Sequence, residues 1–285
     1  MRAFVVVVPV GEIDVASDRL WQLGVRAIEE RVDRDDAGRV ELWTAVGDEP
    51  SAVERAVAAV GQRWPVRTVD VVDDATDTWR EFAAPIWVDE DLVVVPAWQV
   101  HGFGEGVISV EIEPGGAFGL GDHPTTLLSL RAARRELRRS GPGAEVLDVG
   151  CGTGVIAVTA ALLTGGSVRA VDLASAAVEA TLDNAARNGV AQQVLGDATP
   201  VGDLDGAYEL VVANILAPTL VEMAGDLRRL TAPEGRLVVS GILADRHDHV
   251  LRALEPMVVD RTDTLDSWAA VTLRHPPPTS TLRLR

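Results

Sequence analysis

The chain has 285 residues, of which 47 % are hydrophobic and 24 % charged, with a formal net charge of −17. That composition suits a folded protein with a real core and excludes wholesale disorder. The single cysteine, Cys151, excludes an internal disulfide and a CxxC metal site, and no apolar run approaches the roughly 20 residues of a membrane helix.

The acidity speaks against coating nucleic acid, whose phosphates need a basic face, and suits a basic, lysine-rich partner. Phe4–Val10 is apolar, but Glu12 and Asp14 follow at once, so no secretory h-region is expected. We read it as the first strand of a cytoplasmic protein. Helical spacing of Leu20, Leu23, Ala27 and Ile28 predicts a helix over Ala16–Glu30. Val40–Val46 alternates, Ala52–Val60 is helical through Val53, Ala56, Val57 and Val60, and Val66–Val72 alternates again. Residues 1–72 thus form a small α+β module. Six of the seven tryptophans precede residue 100, and residues 1–100 carry a net −10 against −7 for the rest. Two different modules are therefore expected, joined by a polar linker at 73–84.

Short strands are expected at Ile86–Val88, Leu92–Pro96 and Val107–Ile112. A helix at Thr125–Arg139 then puts Leu127, Leu130 and Leu137 on one face and five arginines on others. From there strands and helices alternate. Strands are expected at Glu145–Val149, Val168–Asp172, Gln193–Leu195, Leu210–Ala213 and Arg236–Ser240. Helices fall between them at Val155–Leu163, Ala176–Asn188, Pro218–Leu230 and Asp245–Leu254. Such alternation predicts an α/β fold with a mostly parallel sheet covered on both faces. Val258–Thr264 and Trp268–Leu273 should close it as an antiparallel hairpin. The domain spans residues 85–275, and a mobile tail is expected at 276–285.

The stretch Asp148-Val149-Gly150-Cys151-Gly152-Thr153-Gly154 ends a strand, turns on glycines and opens a helix. Glycine lets a ligand approach the backbone and permits the dihedrals of the turn, and helix amides then face the ligand. The dinucleotide fingerprint G-x-G-x-x-G fails, because position 155 is Val. The pattern D-x-G-x-G-x-G, with Asp172 closing the next strand, is similar to the signature of class I S-adenosyl-L-methionine (SAM) methyltransferases. In that arrangement Asp172 accepts from both ribose hydroxyls, Asp197 contacts the adenine amino group, and Asp148 faces the cofactor's ammonium. Asn214, after the fourth strand, lies near the reactive methyl. Its amide oxygen can orient an amine but cannot act as a strong base; the same residue could also cap the next helix. Cys151 is read as a buried filler, since no basic group stands beside it in sequence.

A second stretch, Glu113-Pro114-Gly115-Gly116-Ala117-Phe118-Gly119-Leu120-Gly121-Asp122-His123-Pro124-Thr125-Thr126, resembles the D-P-G-x-A-F-G-T-G-x-H-P-T-T signature of the PrmA family. These are methyltransferases of the large-subunit ribosomal stalk-base protein, L-eleven. The lead-in with Trp79, Phe82, Pro85, Leu92, Pro96 and Trp98 is similar as well, as are Asn214-Ile215-Leu216-Ala217 and Ser240-Gly241-Ile242-Leu243. The resemblance implies a ferredoxin-like substrate-recognition domain joined to a Rossmann-like methyltransferase domain with a seven-stranded sheet. It implies SAM as cofactor and methylation of lysine side-chain and N-terminal amines; separately, a monomer is expected. SAM-contacting residues carry over as Thr126, Gly150, Asp172 and Asn214, beside Gly152, Gly154, Asp148 and Asp197 read from the loop. His123 and Asp122 are candidate proton acceptors, directly or through water, or else His123 simply shapes the turn before Pro124. Leu120 and Asp122 depart from the family's usual threonines. They keep open a class I methyltransferase of another protein or a small amine. A non-catalytic, SAM-binding ribosome assembly factor is the remaining alternative.

Overall fold

A computed structural model describes the chain except residues 1, 22, 24, 26–27, 34–35, 37, 47–49, 71–82, 114–122 and 278–285. Most of the expected linker, the 114–122 part of the signature with Leu120 and Asp122, Trp79, Phe82 and most of the tail lie outside the described residues. The chain divides into two compact units, residues 1–83 and 84–285.

In the first unit, alternating apolar residues of β1 (Arg2–Pro9) put Phe4, Val6 and Val8 on one face. That face packs on Ala16 and Leu20 of α1 (Ile13–Trp21) and on Ala56 and Val60 of α2 (Pro50–Val60). With β2 (Ile28–Val32), β3 (Arg39–Thr44) and β4 (Val66–Asp70), the sheet order is β2-β3-β1-β4, antiparallel throughout. This βαββαβ order is the ferredoxin-like arrangement. One expectation fails here: the helix predicted over 16–30 ends at Trp21, and Ile28–Val32 is a strand. Its residues pair with β3 from Ile28↔Thr44 to Val32↔Val40. A ladder to a segment downstream outweighs the local helical spacing. Trp64 is buried in this core. Trp43 instead lies between the guanidinium groups of Arg31 and Arg67, 4.1 and 5.4 Å from its ring centroid.

The second unit opens with a three-stranded sheet of β5 (Ile86–Asp89), β6 (Leu92–Pro96) and β7 (Ile108–Ile112), in that order. Helix α3 (Pro124–Ser140) follows, then β8 (Val146–Val149), α4 (Val155–Thr164), β9 (Val168–Val171), α5 (Ser175–Arg187) and β10 (Val194–Asp197). The chain continues through β11 (Tyr208–Asn214), α6 (Ala217–Leu230), β12 (Thr231–Leu243), α7 (Asp248–Ala253), β13 (Val258–Leu265) and β14 (Trp268–Arg274). The large sheet has the order β10-β9-β8-β11-β12-β14-β13, and β14 alone runs opposite to the other six strands. Successive residues of its strands enter opposite cores. Val146, Leu210, Val212 and Val238 face one, while Leu147, Val211, Ala213 and Leu237 face the other. Burial on both faces is why these strands read as continuous apolar runs.

The arginines of α3 are used inside this unit. Arg131 donates to the Val88 carbonyl at 2.8 Å, buried Arg134 grips Asp89 and Asp91, and Arg135 meets Asp263 at 3.0 Å. The basic stripe of the sequence therefore fastens α3 to the two sheets. Among the described residues, no helix is long and apolar enough to cross a membrane.

Candidate functional site

The chain leaves β8, crosses to β9 and β10 on one side, then returns to β11 on the other side of β8. This reversal opens a crevice beyond the carboxyl ends of β8 and β11, the place where open α/β sheets bind ligands. The glycine loop fills the β8 side of that crevice. Gly150, Gly152 and Gly154 have φ of +72°, +54° and +77°, in the left-handed region. A Cβ on Gly150 would come 2.4 Å from Ile215 Cγ2, so this glycine is what allows the loop to touch the end of β11. Gly154 caps α4, and a Cβ there would lie 2.8 Å from Cα, Cγ2 and Oγ1 of Thr181.

A chain of contacts draws the expected site residues into one arc. Asp172, just after β9, accepts from the Gly152 amide through Oδ2 at 3.1 Å and from the Ala174 amide through Oδ1 at 2.9 Å. Its own amide donates to the Asp197 carbonyl at 3.3 Å, which brings the third strand alongside. Asn214 ends β11 in register with Ser240 of β12. The Ser240 hydroxyl, fully buried, lies 3.3 Å from the Thr125 carbonyl, so the first turn of α3 and Thr126 join the same arc. Ile215 is wedged from the other side too, since a Cβ on Gly241 would meet its carbonyl oxygen at 2.4 Å.

Three expected residues have surroundings that narrow what they can do. Asp197 accepts from the Thr199 amide at 2.9 Å and pairs with Arg169. Burial alone would raise its pKa, but the Thr199 bonds and the Arg169 charge outweigh that and hold the carboxyl below its ordinary value. His123 is the N-cap of α3: its Nδ1 lies 2.8 Å from the Thr125 hydroxyl and 3.3 Å from the Thr125 amide, which it accepts. Its ring meets Trp268 edge-on at 5.2 Å. Burial pushes the Cys151 thiol up to about 12, so it stays protonated and inert, as a filler should.

Asp148 is 1 % exposed. Its Oδ2 accepts from the Ala157 amide at 3.1 Å, and no described residue hydrogen-bonds its Oδ1. Burial raises its pKa to about 7, the Ala157 bond opposes the rise, and the charge of Asp172 adds to it. An acid whose folded pKa exceeds its unfolded value holds its proton more tightly when folded. Below about pH 4 it is protonated in both states, so it imposes no penalty. From there to about pH 7 the fold loses stability, and above that the loss is constant. Asp148→Asn should therefore gain in melting temperature relative to the unsubstituted protein as pH rises from about 5 to about 8. Thermal unfolding without cofactor checks this; parallel pH profiles for the two proteins would refute it.

The Thr126 hydroxyl is a second buried oxygen that no described residue hydrogen-bonds. Two orphaned oxygens, left-handed glycines and a carboxylate at the second strand end fit an amino-acid nucleoside. Sequence reasoning did not select Ser240, Ile215 or Thr181 as parts of this site. Ser240 and Ile215 lie within segments quoted above, but nothing in their local pattern announces that Ser240 meets Thr125 or that Ile215 lies against Gly150 and Gly241.

A family model described as ribosomal protein L11 methyltransferase (PrmA) matches residues 50–276. A protein of Geobacter sp. strain M21 named ribosomal protein L11 methyltransferase is 37 % identical over 215 residues, 74 % of this chain and 70 % of the relative. One of the same name from Pelotomaculum thermopropionicum is 35 % identical over 259 residues, 87 % of this chain and 83 % of the relative. Among solved structures, a ribosomal protein L11 methylase from Lactobacillus delbrueckii subsp. bulgaricus aligns with a TM-score of 0.60 at 29 % identity, over 67 % of this chain and 98 % of that one. The chain belongs to the PrmA family of SAM-dependent ribosomal protein L11 methyltransferases.

Proposed function

We propose that this protein transfers methyl groups from SAM to amines of the large-subunit ribosomal stalk-base protein, on lysine side chains and the N-terminus. The observation that carries the reading is the meeting of the Gly150 loop with Ile215, beside Asn214, at the sheet's switch point. SAM supplies a methyl group on a sulfonium, open to attack by a neutral amine. The chain's residues provide the rest. The glycine loop presents backbone amides, Asp172 accepts the ribose hydroxyls, Asp197 borders the adenine, and Asp148 and Thr126 turn their unpartnered oxygens to the amino-acid end. A lysine ammonium, with an ordinary pKa of about 10.4, must first give up its proton to solvent water. Asn214 then accepts a hydrogen from the neutral amine and aims its lone pair, a gain in proximity and orientation and not in basicity. We assign His123 to shaping the first turn of α3, where Thr126 sits.

In the same reading, residues 1–72 recognise the protein substrate, 73–84 link the two modules, and 85–275 carry the transfer, with the protein acting as a monomer in the cytoplasm. The net charge of −17 suits a lysine-rich substrate.

The test incubates the protein with methyl-labelled SAM and the purified stalk-base protein, followed by mass spectrometry of the latter. This chain contains no lysine, so any methyl-lysine recovered comes from the substrate. Absence of transfer by a protein that binds SAM would remove the stalk-base reading; transfer to a different amine would replace it. Asn214→Ala should lower turnover by roughly 100-fold and SAM affinity by a clearly smaller factor, since positioning acts on the reacting pair while the cofactor keeps its other contacts. Equal losses in kcat and in SAM affinity would count against the orienting role.

A further inference from the structure

Asn184 in helix α5 and Asn188, the C-cap of that helix, stand one turn apart, and both face the edge of β7 away from β6. Among the described residues strand β7 pairs with β6 alone, and the backbone groups of Glu111, and of Glu113 just past its end, point away from β6. Each asparagine satisfies one of them as a neighbouring strand would. Asn188 accepts from the Glu111 amide at 2.8 Å and donates to the Glu111 carbonyl at 2.7 Å. Asn184 accepts from the Glu113 amide at 2.9 Å and donates to the Glu113 carbonyl at 2.9 Å.

The second N–H of each amide separates the two residues. That of Asn188 stays in its own helix, on the Asn184 carbonyl at 2.8 Å. That of Asn184, a residue only 1 % exposed, donates to the Thr153 carbonyl at 2.9 Å, inside the glycine loop. The other end of the same Thr153–Gly154 peptide is held as well, because the Gly154 amide donates to the Cys151 carbonyl at 2.7 Å. A peptide flanked by left-handed glycines is free to rotate unless both its polar groups are fixed. Asn184 fixes the carbonyl end.

We propose that Asn184 is a positioning residue for the cofactor: through Thr153 it holds the glycine loop in its binding conformation, whereas Asn188 only holds the strand. The proposal rests on the reading of this loop as the SAM site. A loop already ordered before binding gives up less freedom when the ligand arrives, and that saving appears as affinity.

The experiment compares SAM affinity by calorimetry in the full-length protein, Asn184→Ala and Asn188→Ala, with thermal unfolding of each. Both variants lose hydrogen bonds and should melt at lower temperature, Asn184→Ala more so because its bond to Thr153 is buried and those of Asn188 are exposed or half-buried. Asn184→Ala should raise the Kd for SAM about 10-fold or more and its KM in parallel, with kcat changed by less than about 3-fold. Asn188→Ala should leave the Kd within about 3-fold. Should Asn184→Ala fail to fold, Asn184→Asp decides: it keeps the acceptor for the Glu113 amide and deletes both donors, to the Glu113 and Thr153 carbonyls, so the same rise in Kd is expected. Equal shifts in the Asn184 and Asn188 variants, or none in either, would overturn the proposal. Absence of SAM binding by the unsubstituted protein would overturn the cofactor reading itself, and the two failures are thereby distinguished.

Discussion

Asp172→Ala should weaken SAM binding by roughly 100-fold or more while the protein still unfolds cooperatively. A hydrogen bond to a charged acceptor contributes about 1.5–3 kcal/mol, and two ribose hydroxyls are at stake; the lower figure doubled already exceeds two decades in Kd. The same carboxylate also accepts from the Gly152 and Ala174 amides, so its removal loosens the loop and the lead-in to α5. Asp172→Asn should fall between the two, because an amide oxygen can still accept from Gly152 but carries no charge. Calorimetry measures both. An Asp172→Ala protein with unchanged affinity would place the nucleoside somewhere other than the end of β9.

Gly154→Ala should be the most destabilising small substitution in the loop, by about 3 kcal/mol. The left-handed backbone at φ +77° costs a residue with a Cβ about 1–2 kcal/mol. The new methyl would also stand 2.8 Å from the Cα of Thr181. Backbone on α5 cannot rotate away as a side-chain tip can, and overpacking of this kind costs about 1–3 kcal/mol. For a chain of this size the melting temperature should drop by roughly 6–10 °C. By contrast, Gly202→Ala, whose Cβ would meet only Asp226 Oδ2 at 3.5 Å, should melt close to the unsubstituted protein. Indistinguishable melting of the two variants would show that α5 yields to the added methyl.

The two effects differ in kind, and the site explains why. Asp172 is half-buried just past β9, where its oxygens accept from the loop and would accept from the ribose of a bound nucleoside. Gly154 lies beneath it, where the loop turns into α4 against α5. The loop is held from below by Asn184, Thr181 and Asp172, and meets Ile215 at its side. Affinity and stability are therefore separable by choosing which of these contacts is cut.

The residues of the candidate site were legible in the sequence. Glycines and acids at the ends of apolar runs are short-range signals, because a turn that needs φ > 0 and a strand of period two are both local events. Asp148, Gly150, Gly152, Gly154, Asp172 and Asn214 could be picked out in this way, and the βα alternation foretold a sheet buried on both faces. The tertiary structure alone decided which distant segments touch. It turned Ile28–Val32 into a strand by pairing it with β3, and set β14 between β12 and β13. It also placed Ser240 against Thr125, Ile215 between Gly150 and Gly241, and Asn184 across both β7 and the glycine loop. Nor could the pKa of Asp148 be foreseen, because burial is a property of everything packed around a carboxyl. Periodicity reports on neighbours a few residues away. Contacts across many tens of residues arise only when the two cores close around the sheet.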